Sequence, residues 1–148
     1  MTKVNVRNFL FSLLAITLLA VAAVTPAFAD DNDPIDIEFY KTDADANFLW
    51  DGTVSGDING DLQTVLLAAQ QSGHMLHVDF DWIITNSDCD FTARMSGTLD
   101  TQTGSVLMNG SVIDGCYMGA QVHEEGQLMD PTISGFGGNI RIMPGSAD

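Results

Sequence analysis

The segment His74–Thr85 alternates apolar and polar side chains with a period of two residues. Every second position from 76 to 84 is apolar, and the set is Leu76, Val78, Phe80, Trp82 and Ile84. This period indicates a β-strand with one buried face, because the apolar positions of a helix recur every three or four residues. Phe91–Asp100 repeats the pattern, so neighbouring parts of the chain are restricted to β-sheet structure.

Turn-forming residues separate further strand-like segments along the chain. Asn59-Gly60 and Asp114-Gly115 supply the positive φ angles that tight hairpins require. The strands predicted between turns are Ile35–Thr42, Asn47–Ile58, Asp61–Gln70, His74–Thr85, Phe91–Asp100, Ser105–Ile113, Cys116–Leu128 and Gly135–Met143. The third of these is also compatible with a short helix.

The short connections leave no room for the crossovers that parallel strands need. The sequence therefore predicts an all-β fold, an eight-stranded and mostly antiparallel meander closed into a small barrel. Closure removes exposed sheet edges. A two-sheet β-sandwich is the alternative.

The first 29 residues have the pattern of a cleavable secretory signal peptide. Lys3 and Arg7 precede an apolar run over residues 9–24, and an A-x-A motif ends at Ala29. The apolar run is shorter than the roughly 20 residues of a spanning helix. We therefore expect a signal peptide over 1–29, a single domain over 30–148, a secreted or periplasmic location, and no membrane insertion of the mature chain.

The mature chain is strongly acidic. All 20 acidic residues follow position 29, whereas the basic residues there are Lys41, Arg94 and Arg141. Such a surface repels nucleic-acid phosphates and anionic lipids, so no nucleic-acid partner is expected.

Cys89 and Cys116 are the two cysteines of the chain. An even pair in an exported protein predicts one disulfide. With Cys116 opening the seventh strand, one strand separates the two residues along the same rim of the barrel. That gap is too wide for a direct bridge, so the loop around Cys89 is expected to fold over the rim.

Acidic and histidine residues form three patterns that could bind metal. His77, Asp79 and Asp81 share a strand face, but i, i+2 and i+4 positions span about 13 Å. The loops that begin at Asp43 and Asp57 lack the later Gly and Glu of an EF-hand. We therefore predict no metal site and no cofactor.

No motif for nucleophilic catalysis, phosphate binding or zinc-dependent hydrolysis occurs in the sequence. Asp79 and Asp81 would lie roughly 7 Å apart on one strand face, a spacing that glycosidases can use, but nothing predicts a cleft around them. No catalytic residue is assigned.

Aromatic and methionine side chains recur on the apolar faces of the later strands. Eight-stranded barrels are often just wide enough to be filled by such side chains, and the alternative is a lumen that binds an apolar molecule. The candidate lumen residues are Phe80, Trp82, Met95, Met108, Tyr117 and Phe136.

The last third of the chain has a recurrent glycine-rich texture. Its segments are G-T-L at 97–99, T-G at 103–104, L-M-N-G at 107–110, G-A-Q-V-H at 119–123 and G-F-G-G-N-I-R-I-M-P at 135–144. This texture resembles a group of small secreted bacterial proteins without assigned activity, and more distantly the allene oxide cyclase and dirigent-like barrels. The resemblance implies an eight-stranded barrel that takes apolar small molecules into its lumen. The catalytic residues of those barrels match no positions here.

We therefore expect a secreted β-barrel that is a binding or structural module for a small apolar ligand rather than an enzyme. One alternative is an isomerase or cyclase that acts on an apolar ligand in the lumen. Another is an extracellular cation-dependent adhesion or matrix component. The ligand and the oligomeric state are left open.

Overall fold

The computed structural model describes residues 33–145, which form eight β-strands joined by hairpin loops. The strands are β1 Ile35–Thr42, β2 Leu49–Gly56, β3 Gly60–Ser72, β4 Met75–Thr85, β5 Phe91–Asp100, β6 Ser105–Gly115, β7 Gln121–Asp130 and β8 Gly135–Met143. Each strand pairs antiparallel with the next, and β8 pairs with β1. The predicted meander and its closure into a barrel are confirmed, and the third segment is a strand rather than a helix.

The signal peptide predicted for residues 1–29 lies outside the described residues. Within residues 33–145, no helix is long and apolar enough to cross a membrane.

Alternation along each strand places one face inside the barrel. Loops β2–β3, β4–β5 and β6–β7 meet at one end of the barrel, and apolar side chains pack as a continuous core beneath them. The core side chains in this half include Ile37, Ile84, Met95, Val112, Val122, Ile140 and Ile142. We call this half the closed end. The four remaining hairpin loops lie at the opposite end.

The end of β3 extends past the first residue of β2. β2 pairs with β3 only as far as Val65, so residues 68–72 of β3 are paired with β4 alone. A register shift between Leu66 and Ala68 marks the start of this segment. The segment is therefore largely exposed to solvent.

Cys89 and Cys116 form the predicted disulfide, with their Cα atoms 5.7 Å apart. The predicted detour over the rim is wrong, because β6 extends to Gly115 and β7 begins only at Gln121. Phe91 pairs with Gly115, so the cysteines flank the ends of two adjacent strands. The disulfide therefore links the ends of β5 and β6 directly at the closed end.

Replacing both cysteines by serine is expected to lower the free energy of unfolding by roughly 3 kcal/mol, since the bridge closes a loop of about 28 residues. Urea denaturation of the double variant measures the loss. Reduction of the wild-type protein should give a similar loss. A loss below about 1 kcal/mol would mean that the β5–β6 pairing already holds this end together without the bridge.

Candidate functional site

A cavity of about 340 Å³ opens at the end of the barrel opposite the disulfide. Its wall is mainly apolar and receives side chains from all eight strands and from the β1–β2 and β7–β8 loops. The inward side chains that form this wall include Leu76, Val78, Phe80, Val106, Met108 and Phe136. Concave, mainly apolar cavities of about 300–1,000 Å³ with a few polar groups are typical of small-molecule sites.

Three charged side chains line this cavity: Lys41 of β1, Glu124 of β7 and Asp43 of the β1–β2 loop. The Asp43 carboxylate is held by backbone N–H groups of its own loop, whereas Lys41 and Glu124 come from the barrel wall. Lys41 is 4% exposed and Glu124 is 1% exposed. Lysine and glutamate are almost never buried to this degree unless they are paired or serve a specific role. These two residues are therefore the most informative polar groups of the site.

The Lys41 ammonium lies among aromatic rings. Its Nζ is 3.8 Å from the ring centroid of Trp82, 5.1 Å from that of Phe80 and 5.5 Å from that of Phe39. Ring faces attract a cation, whereas burial in a medium of low polarity disfavours it. Burial dominates and lowers the pKa of Lys41 from 10.5 to about 8, with the negative charge of Glu124 opposing the shift.

The Glu124 carboxylate lies between Phe39 and the backbone of its own strand. A methyl group at Gly126 would come within 3.0 Å of Oε1 and 3.2 Å of Phe39 Cζ, so glycine leaves room for the carboxylate. The other oxygen, Oε2, has no hydrogen-bond partner among residues 33–145. Burial raises the pKa of Glu124, and the positive charge of Lys41 partly offsets that rise.

Lys41 and Glu124 influence each other through space rather than through a contact. The close ion pairs of the described chain join Arg94 to Asp81, His123 to Glu125 and Arg141 to Asp36. All three lie on the outer face of the barrel. Inside the cavity, the amine and the carboxylate therefore stay available to a third group.

The mouth of the cavity is formed by loops with strained backbone. Ala46, Phe48 and Ser134 have φ angles of 52°, 65° and 48°, and all three residues line the cavity. The buried Asp43 carboxylate accepts backbone N–H groups of Asn47 and Phe48 and so holds the first loop in place. Strain of this kind persists only where the surroundings enforce it, and it is concentrated at binding sites.

Four of the predicted lumen residues lie at or beside the cavity. Phe80, Met108 and Phe136 line it. Trp82 points inward as predicted and is 2% exposed, with its ring under the Lys41 amine.

The other two predicted lumen residues lie elsewhere. Met95 is buried in the core and lines no part of this cavity. The prediction for Tyr117 is wrong, because this residue lies in the β6–β7 loop at the closed end. There its ring is 36% exposed and packs edge-on against Phe91, with centroids 5.8 Å apart. The cause is the misplaced start of β7, which put Tyr117 on a strand.

The acidic patterns noted in the sequence lie on the outer surface or in turns. Asp79 accepts a hydrogen bond from the Ser96 hydroxyl, and Asp81 accepts two from Arg94. Asp57 accepts the backbone N–H of Asp36. Among residues 33–145, no group of three or more His, Cys, Asp or Glu side chains is placed to hold a metal ion.

Sequence reasoning did not predict that Lys41 and Glu124 are buried in a cavity, although the sequence contains a signal for both. Lys41 follows Ile35, Ile37 and Phe39 at every second position, so it falls on the apolar face of β1. Glu124 likewise follows Val122 on the apolar face of β7. A charged residue in register with an apolar face indicates a buried polar site.

These features define a closed antiparallel β-barrel with an apolar cavity at one end that contains a buried amine and a buried carboxylate. Comparison of the chain with protein-family models, curated proteins and solved structures found no match. What the barrel does must therefore be inferred from its cavity.

Proposed function

We propose that this protein is an exported binding protein that takes a small, mainly apolar molecule into the cavity between Lys41 and the β3–β4 hairpin. The observation that carries the proposal is the combination of an apolar wall with the buried ionisable side chains of Lys41 and Glu124. The wall supplies affinity through the burial of apolar surface, and the two polar groups orient the ligand. The ligand is therefore expected to carry one polar group at the end that enters first.

The buried charges argue against a purely structural role. Replacing a buried lysine and glutamate by apolar residues of similar volume is often neutral or stabilising. A barrel that only needed to be stable would gain nothing from Lys41 and Glu124, whereas a binding site uses them to select a ligand. The unpartnered Oε2 of Glu124 is an acceptor that a ligand hydroxyl can satisfy.

The disulfide supports the exported location in this proposal. Disulfides persist in oxidising compartments and are rare in the cytoplasm, and Cys89 is bridged to Cys116. The predicted signal peptide specifies a secreted or periplasmic protein, and the acidic surface of the domain is compatible with free solution in either compartment.

The proposal is tested by a thermal-shift screen of the mature protein with fatty alcohols, terpenoids and aromatic aldehydes. A ligand at one hundred times its Kd should stabilise the folded state by about 2.7 kcal/mol. Val106→Trp places an indole in the cavity, and Leu107→Trp places the same group on the outer face at the next position of β6. We expect Val106→Trp to abolish the shift and Leu107→Trp to retain it.

Equal shifts in both variants would place binding outside the cavity and contradict the proposal. The same conclusion follows if no compound in the three classes stabilises the wild-type protein. The double cysteine-to-serine variant is a further control, because its altered bridge lies at the opposite end of the barrel and should leave the ligand affinity unchanged.

A further inference from the structure

We infer that Lys41 is a covalent attachment point, whose ε-amine forms an imine with an aldehyde or ketone group of the ligand. This inference rests on the proposed binding function and names the chemical class of the ligand. It depends on where the amine lies, on what surrounds it and on which groups share the cavity with it.

Lys41 is the single lysine that follows position 29 in the sequence. An acidic protein with few basic residues would gain most in solubility and surface pairing from lysines on its exterior. The two arginines that follow position 29, Arg94 and Arg141, do lie outside, paired with Asp81 and Asp36. The one lysine is instead 4% exposed and lines an apolar cavity, which indicates a use for its amine.

The surroundings of Lys41 favour an uncharged, nucleophilic amine near neutral pH. A lysine desolvated in an apolar pocket is the usual form of a Schiff-base lysine. Burial lowers the pKa of Lys41 to about 8, so a substantial fraction of the amine is unprotonated at pH 7.5. An exposed lysine with a pKa of about 10.4 is almost entirely protonated at that pH.

The reaction requires only the ligand and the two cavity residues. The Nζ lone pair attacks the carbonyl carbon, and the carbonyl π electrons move to oxygen. A proton then passes from nitrogen to that oxygen, and the Glu124 carboxyl group, which lines the same cavity, can carry it. The protonated Glu124 carboxyl then donates its proton to the hydroxyl, which leaves as water while the nitrogen lone pair forms the C=N bond. The products are one water molecule, a protonated imine and the Glu124 carboxylate.

Charge balance in the cavity favours a carbonyl over a carboxylate ligand. Glu124 and Asp43 already supply two carboxyl groups to a cavity with the one amine of Lys41. A carboxylate ligand would add a further buried anion, which is costly without a further cation. A carbonyl ligand enters uncharged, and the protonated imine that it forms keeps the single positive charge next to Glu124.

The test uses 2-naphthaldehyde as the probe and sodium cyanoborohydride to reduce any imine to a stable secondary amine. The mature Arg94→Lys variant carries an exposed competitor lysine in the same chain as Lys41. Peptide mass spectrometry then compares the two sites after reaction at pH 7.5. We expect Lys41 to be labelled at least tenfold faster than the introduced lysine, and Val106→Trp to abolish labelling of Lys41 alone.

A pH series gives a second readout. Labelling of Lys41 should be half-maximal near pH 8, whereas labelling of the exposed lysine should be half-maximal only above about pH 10. Lys41→Met should remove the adduct. The comparison of Lys41 with the introduced lysine is made within the Arg94→Lys variant, so it does not depend on whether Lys41→Met folds.

The possible outcomes separate this inference from the proposed function. One outcome is that naphthaldehyde raises the melting temperature, that Val106→Trp abolishes this shift, and that Lys41 is labelled no faster than the surface lysine. In that case the covalent inference is wrong and the proposed binding function stands. If 2-naphthoate stabilises the protein more strongly than the aldehyde and no adduct forms, the ligand is a carboxylate and the inference is again wrong. If no cavity ligand binds at all, both fail.

Discussion

Replacing Trp82 by alanine is expected to lower the free energy of unfolding by about 3–5 kcal/mol, the cost of removing a large aromatic side chain from a packed core. Trp82 is 2% exposed, and its ring meets that of Phe39 edge-on with centroids 4.9 Å apart. It also forms the floor beneath the Lys41 amine. The substitution therefore removes core packing together with the ring against which the Lys41 amine lies.

Urea denaturation followed by circular dichroism measures this loss. Leu107→Ala is the matched control, because Leu107 is 48% exposed on the outer face and should cost less than about 1 kcal/mol. Trp82→Phe should lie between the two. If Trp82→Ala costs no more than Leu107→Ala, the inward face of β4 does not form the core.

The second large effect is a pH-dependent loss of stability in Lys41→Met. The raised pKa of Glu124 means that the folded state holds this proton more tightly than the unfolded state does. Stability therefore falls as the pH rises above 4.5, the ordinary value for this group, and continues to fall until the raised folded-state pKa is passed. Lys41→Met removes the positive charge that limits this fall.

We expect Lys41→Met to be about 3 kcal/mol less stable than wild type at pH 7, because it leaves one buried charge unpaired. At pH 4 the variant should be at least as stable as wild type, since Glu124 is then protonated and a buried ammonium has been removed. Urea midpoints at pH 4, 5, 6 and 7 provide the measurement.

The double variant Lys41→Met/Glu124→Gln is the control for the pH effect. It should recover most of the stability lost at pH 7 and show no added pH dependence. A constant difference between Lys41→Met and wild type across this range would show that the two charges do not interact.

The strands could be predicted because the alternation of apolar and polar residues that indicates a strand lies within that strand's own sequence. The limits of β1, β5 and β8 agree with the sequence-based prediction at both ends. Alternation fixes which side chains point inward. Barrel closure follows from the meander, since it alone leaves no unpaired edge.

The local geometry at the closed end was less predictable. Whether Asp114-Gly115 is a turn or the last part of a strand depends on the pairing of Gly115 with Phe91, which no local pattern reveals. Taking it as a turn moved Cys116 and Tyr117 onto the next strand. That one choice produced the errors on the route of the disulfide and on the position of Tyr117.

The cavity could not be predicted, because it depends on how far each strand extends and how the barrel tapers. The sequence does show Lys41 and Glu124 on apolar faces. It does not show that β1 and β7 bring them to one cavity, which follows only from the β7–β8 and β8–β1 pairings. A charged residue that breaks an apolar alternation is the signal to seek in similar chains.

The pairing of β1 with β8 joins the first and last strands of the barrel, whereas every other pairing links neighbours in the chain. Lys41 and Glu124 lie on opposite sides of this seam, separated only by β8. Loop closure over so long a chain carries the largest entropic cost of any pairing in the barrel. The binding site therefore forms only when β1 pairs with β8. A chain that stops folding before that pairing would have neither a reactive amine nor a ligand cavity.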